Sequence, residues 1–186
     1  VNTGFGSAIL ASRGTNIITS DATGSSILLS SGTCITGGSY CSSIISSQAS
    51  FICGGFCNQI IGGSSSNICM TSSCNYIIAS FGSQIAQSAC CAIIVGGNSS
   101  TIAGGNNSSI FGSRCSRICT AVAFSTLVGG CCNSICQTSS CSAILGGSNN
   151  SIGFQGANSA IIGGSCASMG GDTCHTVIAG GCCNTA

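Results

Sequence analysis

The sequence predicts an all-β fold, a parallel β-solenoid or β-roll in which each coil of about 16–18 residues carries two short strands. An aliphatic pair followed by a Gly/Ser-rich corner returns every 16 to 18 residues from Ile9 onward. A lone aliphatic residue returns midway between successive pairs. A short unit at a nearly fixed period is typical of a stacked array and not of a globular enzyme domain.

Each repeat is read as two short strands joined by corners. In residues 127–143 the first stretch surrounds Leu127-Val128 and runs into Gly129-Gly130, and the second surrounds Ile135. Neither stretch is long enough for an ordinary helix, and apolar residues do not recur at helical spacing. Glycine suits the corners because it accepts a positive φ without steric cost. The pairs are Ile9-Leu10, Ile27-Leu28, Ile44-Ile45, Ile60-Ile61, Ile77-Ile78, Ile93-Ile94, Ile110-Phe111, Leu127-Val128, Ile144-Leu145, Ile161-Ile162 and Val177-Ile178. The midpoints are Ile17, Ile35, Ile52, Ile68, Ile85, Ile102, Ile118, Ile135, Ile152 and Met169.

The repeats predict a simple domain organisation. Residues 1–8 are expected to form an N-terminal lead-in, and residues 9–186 one repetitive solenoid of about ten and a half coils with the last coil incomplete. At a coil spacing of about 4.8 Å the rod would be about 50 Å long. Because the chain has no initiator methionine, we expect a processed product or a fragment.

The aliphatic pairs predict an apolar stripe on the outside of the rod. Adjacent residues of a strand face opposite sides, so one member of each pair should point outward. Soluble monomers rarely expose such a stripe, and a second copy of the chain is the expected partner, probable side-by-side homotrimer or filament included. The alternative is that both members turn inward at a bend. The candidate stripe consists of Ile45, Ile61, Ile78, Ile94, Phe111, Val128, Leu145, Ile162 and Ile178.

Composition argues against several classes of partner. The charged residues are Arg13, Arg114, Arg117, Asp21 and Asp172, and the net charge is +1. Nucleic acids and anionic membranes need clustered Lys and Arg, so neither is an expected partner. Short Ile-rich clusters interrupted by Gly, Ser and Asn do not approach the length of a membrane span, so no membrane insertion is expected.

Two segments carry a resemblance to a known family. They are Ser-Ala-Ile-Ile-Gly-Gly-Ser-Cys-Ala-Ser at 159–168 and His-Thr-Val-Ile-Ala-Gly-Gly-Cys-Cys-Asn-Thr-Ala at 175–186. They resemble the head repeats of YadA-type trimeric autotransporter adhesins and related repeats of phage and giant-virus fibres. The resemblance implies a left-handed parallel β-roll in a trimeric fibre on a cell or virion surface, without catalytic residues. This chain has more cysteines and longer repeats than that family.

The 18 cysteines lie in columns when the repeats are aligned. Stacked coils bring equivalent Cα atoms within the span of a disulfide. The candidate intercoil disulfides are Cys53–Cys69, Cys115–Cys132, Cys119–Cys136 and Cys166–Cys182. Free thiols that act as small, soft side chains are an equally open alternative. No metal site or cofactor is expected, because the C-x-x-x-C spacings follow from the half-repeat and His175 is the only histidine.

The sequence predicts a non-enzymatic structural or adhesive fibre, a rigid rod or head that could meet a surface receptor or glycan. His175 is a poor partner for Cys174, because neighbouring residues of a strand face opposite sides, and no paired carboxylates occur. One alternative is an ice-binding solenoid, although its threonines (Thr19, Thr36, Thr71, Thr101, Thr120, Thr138 and Thr173) are scattered. Another is a redox-active or metal-binding ladder of cysteines.

Overall fold

A computed structural model of the chain shows a parallel β-solenoid. The structure describes residues 1–10, 13–19, 21–69, 71–86, 88–136, 138–170 and 172–186. Odd-numbered strands stack into one 11-stranded parallel sheet and even-numbered strands into a second, 10-stranded one. We call these sheet 1 and sheet 2. No helix occurs in the described residues, so the predicted fold class is confirmed.

The strands are short, and each coil contributes one to each sheet. They are β1 (Ala8–Leu10), β2 (Ile17–Ile18), β3 (Ser26–Leu28), β4 (Cys34–Tyr40), β5 (Ser43–Gln48), β6 (Phe51–Phe56), β7 (Gln59–Ser64), β8 (Asn67–Ile68), β9 (Tyr76–Phe81), β10 (Gln84–Ile85), β11 (Ile93–Val95), β12 (Thr101–Ile102), β13 (Ser109–Phe111), β14 (Arg117–Ile118), β15 (Thr126–Val128), β16 (Ser134–Ile135), β17 (Ala143–Leu145), β18 (Ser151–Ile152), β19 (Ala160–Ile162), β20 (Ser168–Met169) and β21 (Val177–Ala179).

Two ladders of isoleucine form the core between the sheets. In sheet 1 the inward residue of each strand pairs with its equivalent one coil away, as Ile27 does with Ile44. In sheet 2 the equivalent ladder runs through Ile35, Ile52 and their counterparts in the other coils. Nearly all of these side chains are fully buried. The first buried residue of the second ladder is Ile18, one position after the expected Ile17.

The corners inside the coil are polar, and their hydrogen bonds run from coil to coil. Asn58 is fully buried; its amide nitrogen donates to the carbonyl oxygens of Ser72 at 2.7 Å and of Gly54 at 3.2 Å. Its side-chain oxygen accepts the backbone N–H of Asn75 at 3.1 Å. Serine does part of the same work, since the Ser42 hydroxyl accepts the backbone N–H of Asn58 at 3.3 Å. These bonds satisfy backbone groups that the corners turn away from the sheet ladders.

The corners require left-handed backbone, which explains the abundance of glycine. Gly146 and Gly147 have φ values of 76° and 77°. A Cβ on Gly146 would meet nothing within 4 Å, whereas one on Gly147 would lie 2.3 Å from the carbonyl oxygen of Gly164. Gly147 is therefore required both for its backbone conformation and for the close approach of the next coil.

Both ends of the chain take part in the coil ladder. Asn2 bridges to Ile18 in parallel, so the predicted lead-in of residues 1–8 already contacts the first coil. At the other end Thr185 bridges to Ser168, which brings the last coil to the first contact with sheet 2. Among the described residues, none belongs to a helix that could cross a membrane.

Candidate functional site: an outward aliphatic ladder and thiol columns

The outer face of sheet 1 carries one continuous column of apolar side chains, which we call the aliphatic ladder. Each member directly follows a buried residue of the inner ladder, so strand alternation turns it outward. The exposed fraction rises along the rod from 39% at Val128 to 47% at Ile162. The ladder consists of Leu10, Leu28, Ile45, Ile61, Ile78, Val95, Phe111, Val128, Leu145, Ile162 and Ala179.

Two residues of the predicted stripe lie elsewhere. Ile94 is fully buried and pairs with Ile77 and Ile110 of the inner ladder, so Val95 takes the outward position in its coil. Ile178 is only 8% exposed and also points inward. Both positions follow coils that are one residue longer than the sequence alignment assumed. The remaining members, Ile45, Ile61, Ile78, Phe111, Val128, Leu145 and Ile162, lie on the aliphatic ladder.

The alternative of a bend with both side chains inward does not describe these strands. Ile144 is fully buried while Leu145, the next residue, is 43% exposed. The same contrast holds for Ile161 and Ile162. The apolar pair therefore straddles the sheet, with one side chain in the core and the other on the surface.

The surface around the aliphatic ladder is uncharged. None of the residues in the eleven strands of sheet 1 is Asp, Glu, Lys or Arg. The second outward column of that face consists of the residues that precede the buried ladder, and it includes Ser109, Thr126, Ala143 and Ala160. The face thus offers contact area and hydroxyl groups without a charge that would resist removal from water.

The structure brings three of the four predicted cysteine pairs to equivalent positions of neighbouring coils. Cys119 and Cys136 follow the paired residues Ile118 and Ile135, and their sulfur atoms are 3.4 Å apart. Cys53 and Cys69 follow Ile52 and Ile68 in the same way. Cys115 and Cys132 follow the bridged residues Arg114 and Cys131.

The fourth predicted pair is out of register. Ser165 bridges to Cys182, so the residue after it, Cys166, is equivalent to Cys183 and not to Cys182. All 18 cysteines are free thiols in this structure, and the intercoil disulfides stay a prediction.

Cys119 has the most strongly perturbed thiol of the predicted pairs. Partial burial raises the pKa of the Cys119 thiol to about 11, with further contributions from its contact with Cys136. A thiol with so high a pKa stays protonated at neutral pH and is a poor nucleophile. Cys119, Cys136 and Arg117 border a shallow depression of about 310 Å³ together with Thr120 and Phe154.

Sequence reasoning grouped the cysteines of another corner without recognising their pairing. Cys41, Cys57, Cys74 and Cys91 follow residues that pair from coil to coil, so they occupy one column over four successive coils. All four are exposed and have φ between 50° and 56°. Desolvation and the neighbouring thiols, Cys91 first among them, raise the pKa of Cys74. A regular period combined with the corner position was the signal that could have identified this column.

Other chemistry finds little support in the described part of the chain. No group of three or more His, Cys, Asp or Glu side chains there could hold a metal ion. Cys174 and His175 are both exposed at a corner, where His175 has a φ of 60°. Thr36 occupies a strand position next to sheet 2, whereas Thr71 and Thr138 lie at left-handed corners, so the threonines form no single rank.

Comparisons with known proteins give no family. No protein family and no curated protein matches the sequence. Among solved structures, the Arabidopsis UDP-N-acetylglucosamine acyltransferase is 12% identical, with 89% of this chain and 62% of that one covered and a TM-score of 0.27. The UDP-N-acetylglucosamine O-acyltransferase LpxA of Moraxella catarrhalis RH4 is 14% identical, with coverages of 87% and 65% and a TM-score of 0.25. The chain spans less than two thirds of the length of both, and TM-scores this low support no inference about activity.

Proposed function

We propose that the chain is a non-enzymatic structural rod that associates side by side with copies of itself, in a homotrimer, as part of a surface fibre. The observation that carries the proposal is the aliphatic ladder, which runs without interruption over all eleven strands of sheet 1. Contiguous apolar surface of this extent is typical of an interaction face. Location on a cell or virion surface, and a receptor or glycan at the polar faces, belong to the same proposal.

A second copy of the chain is the partner that fits this face best. Every copy has the same coil spacing, so two parallel rods can match their ladders coil for coil. The face carries no charge, so like copies do not repel one another there. A closed assembly of identical rods would bury the ladder of each chain without leaving an open apolar edge.

The length of the ladder decides whether the association is stable. Removing a half-exposed aliphatic side chain from water contributes about 1 kcal/mol. Eleven such positions give about 10 kcal/mol per chain, against an association cost of about 4–15 kcal/mol. A few coils would therefore not hold the rods together, whereas the full ladder can.

The test is the native mass of the protein by light scattering, measured with and without reductant. We expect three times 18.0 kDa in both conditions, because the contact is apolar and not covalent. Leu145→Asp should shift the mass toward the monomer, since it places a carboxylate within the contact. Ser151→Asp is the matched control: it adds the same charge at an outward strand position of the same coil, but on sheet 2.

A monomeric wild-type protein would contradict the proposal, and so would equal masses of the two variants. Dissociation by reductant alone would replace the apolar contact with intermolecular disulfides. The ice-binding alternative lacks a regular rank of threonines, and a thermal hysteresis measurement on the same sample separates it from the fibre.

A further inference from the structure

One cysteine lies beside one of the few cationic side chains of the protein. Arg114 and Cys131 are bridged partners in neighbouring coils, on the narrow side of the rod between the two sheets. The Arg114 Nη2 group donates a hydrogen bond to the Cys131 sulfur at 3.5 Å. The Cys132 sulfur lies 3.2 Å from that of Cys131. A cation, a thiol and a second thiol thus meet on the surface, with Cys131 half-buried and Cys132 exposed.

The same chain holds a nearly identical pair without the arginine. Cys182 occupies the same column as Cys131, three coils further along, and its sulfur lies 3.3 Å from that of Cys183. The residue bridged to Cys182 on the preceding coil is Ser165, which is uncharged. The two pairs therefore share their corner geometry and differ in the cation.

We propose that Cys131 is a reactive thiolate and a site of oxidative modification by peroxides, with Cys132 as its resolving thiol. A guanidinium within hydrogen-bond distance favours the thiolate over the thiol, and the thiolate is the nucleophile. A solvent-accessible thiolate with a second thiol in contact is the arrangement typical of redox-sensitive cysteines. The site lies around a corner from Val128 of the aliphatic ladder, so it does not depend on the proposed association.

The surroundings of Cys131 support the same direction. The hydrogen bond from Arg114, followed by that from Cys132, lowers the pKa of the Cys131 thiol. The contact with Cys131 raises the pKa of Cys132, which therefore stays protonated as a resolving thiol should. Cys115 lies on the preceding coil beside Arg114, and the facing residue on the following coil is the uncharged Ser148.

The oxidation balances with one hydrogen peroxide. The Cys131 thiolate attacks one peroxide oxygen, the O–O bond breaks, and a sulfenic acid and hydroxide form. The Cys132 sulfur then attacks the sulfenic sulfur, the S–S bond forms and the S–O bond breaks. Two thiols lose two electrons and two protons, and the peroxide becomes two molecules of water.

The first experiment compares the two matched pairs within one molecule. The reduced protein is treated with isotopically light iodoacetamide at neutral pH, unfolded, and treated with the heavy reagent, and mass spectrometry then gives the rate at each cysteine. We expect Cys131 to react about tenfold faster than Cys182, since a shift of one pKa unit changes the thiolate fraction about tenfold. Arg114→Gln should reduce the rate at Cys131 to that at Cys182, with an unchanged circular dichroism spectrum.

Equal rates at Cys131 and Cys182 in the wild type would overturn the proposal, and so would a Cys131 rate that Arg114→Gln leaves unchanged. A second experiment tests the resolving thiol. After a peroxide pulse, the Cys132→Ser protein should hold a dimedone-trapped sulfenic acid at Cys131, whereas the wild type should hold a Cys131–Cys132 disulfide. A disulfide to Cys115, or dimedone adducts equally spread over the other cysteines, would contradict the assignment.

Discussion

Two neighbouring isoleucines of β11 offer the sharpest test of the register. Ile94 is fully buried between Ile77 and Ile110, and its Cγ2 packs where a Cβ on Gly97 would lie 2.9 Å away. Ile93 precedes it and faces outward, beside Tyr76 and Ser109. The substitutions Ile93→Ala and Ile94→Ala remove the same three carbon atoms, so their chemistry is identical.

The expected losses of stability differ severalfold. Removing three buried carbons costs about 2.4 kcal/mol in transfer free energy, and the cavity left in a stacked core raises this to about 3–4 kcal/mol for Ile94→Ala. Ile93→Ala empties no interior space and should cost about 1 kcal/mol or less. For a chain of this length the first change corresponds to a melting temperature lower by about 10 °C.

Equilibrium unfolding in guanidinium chloride, followed by circular dichroism in the presence of reductant, measures both losses. Similar m values for the two variants would show that the same surface is exposed on unfolding. Equal losses, or a larger loss for Ile93→Ala, would refute the register and with it the position of Val95 on the aliphatic ladder.

Three further predictions concern the corners and the thiols. Asn58→Leu should lower the free energy of unfolding by about 3 kcal/mol, because it leaves buried backbone groups without partners, whereas Asn58→Ser should lose less since serine keeps the acceptor; chemical denaturation measures both. Gly146→Ala should cost about 1 kcal/mol for its left-handed φ, whereas Gly147→Ala also clashes with a backbone carbonyl and should cost clearly more, and equal melting temperatures would contradict this reading of the corner. Because the folded-state pKa of Cys119 is raised to about 11, its contribution to stability is fully present below the unfolded pKa of about 9 and is lost between pH 9 and pH 11. Cys119→Ser should reduce this alkaline loss in unfolding measurements across that range, and an unchanged pH profile would count against the shift.

The sequence alone determined the coil and its two strands. The return of aliphatic pairs and midpoints at 16 to 18 residues, with Gly, Ser and Asn between them, has a period that suits stacked short strands and no helix. Strand alternation also required that one residue of each pair face outward, and this is why most of the aliphatic ladder could be named, from Ile45 to Ile162.

Only the tertiary structure decided the register within each coil. Successive inner isoleucines are separated by 17 residues between Ile77 and Ile94 but by 16 between Ile94 and Ile110. In the run Ile93-Ile94-Val95 every side chain is apolar, so periodicity cannot say which one enters the core. The hydrogen bonds between neighbouring coils fix that choice, because a shift of one residue would exchange every inward side chain for an outward one. The same register places Cys166 opposite Cys183 and Arg114 beside Cys131, since contacts between coils depend on which residues are paired and not on their spacing along the chain.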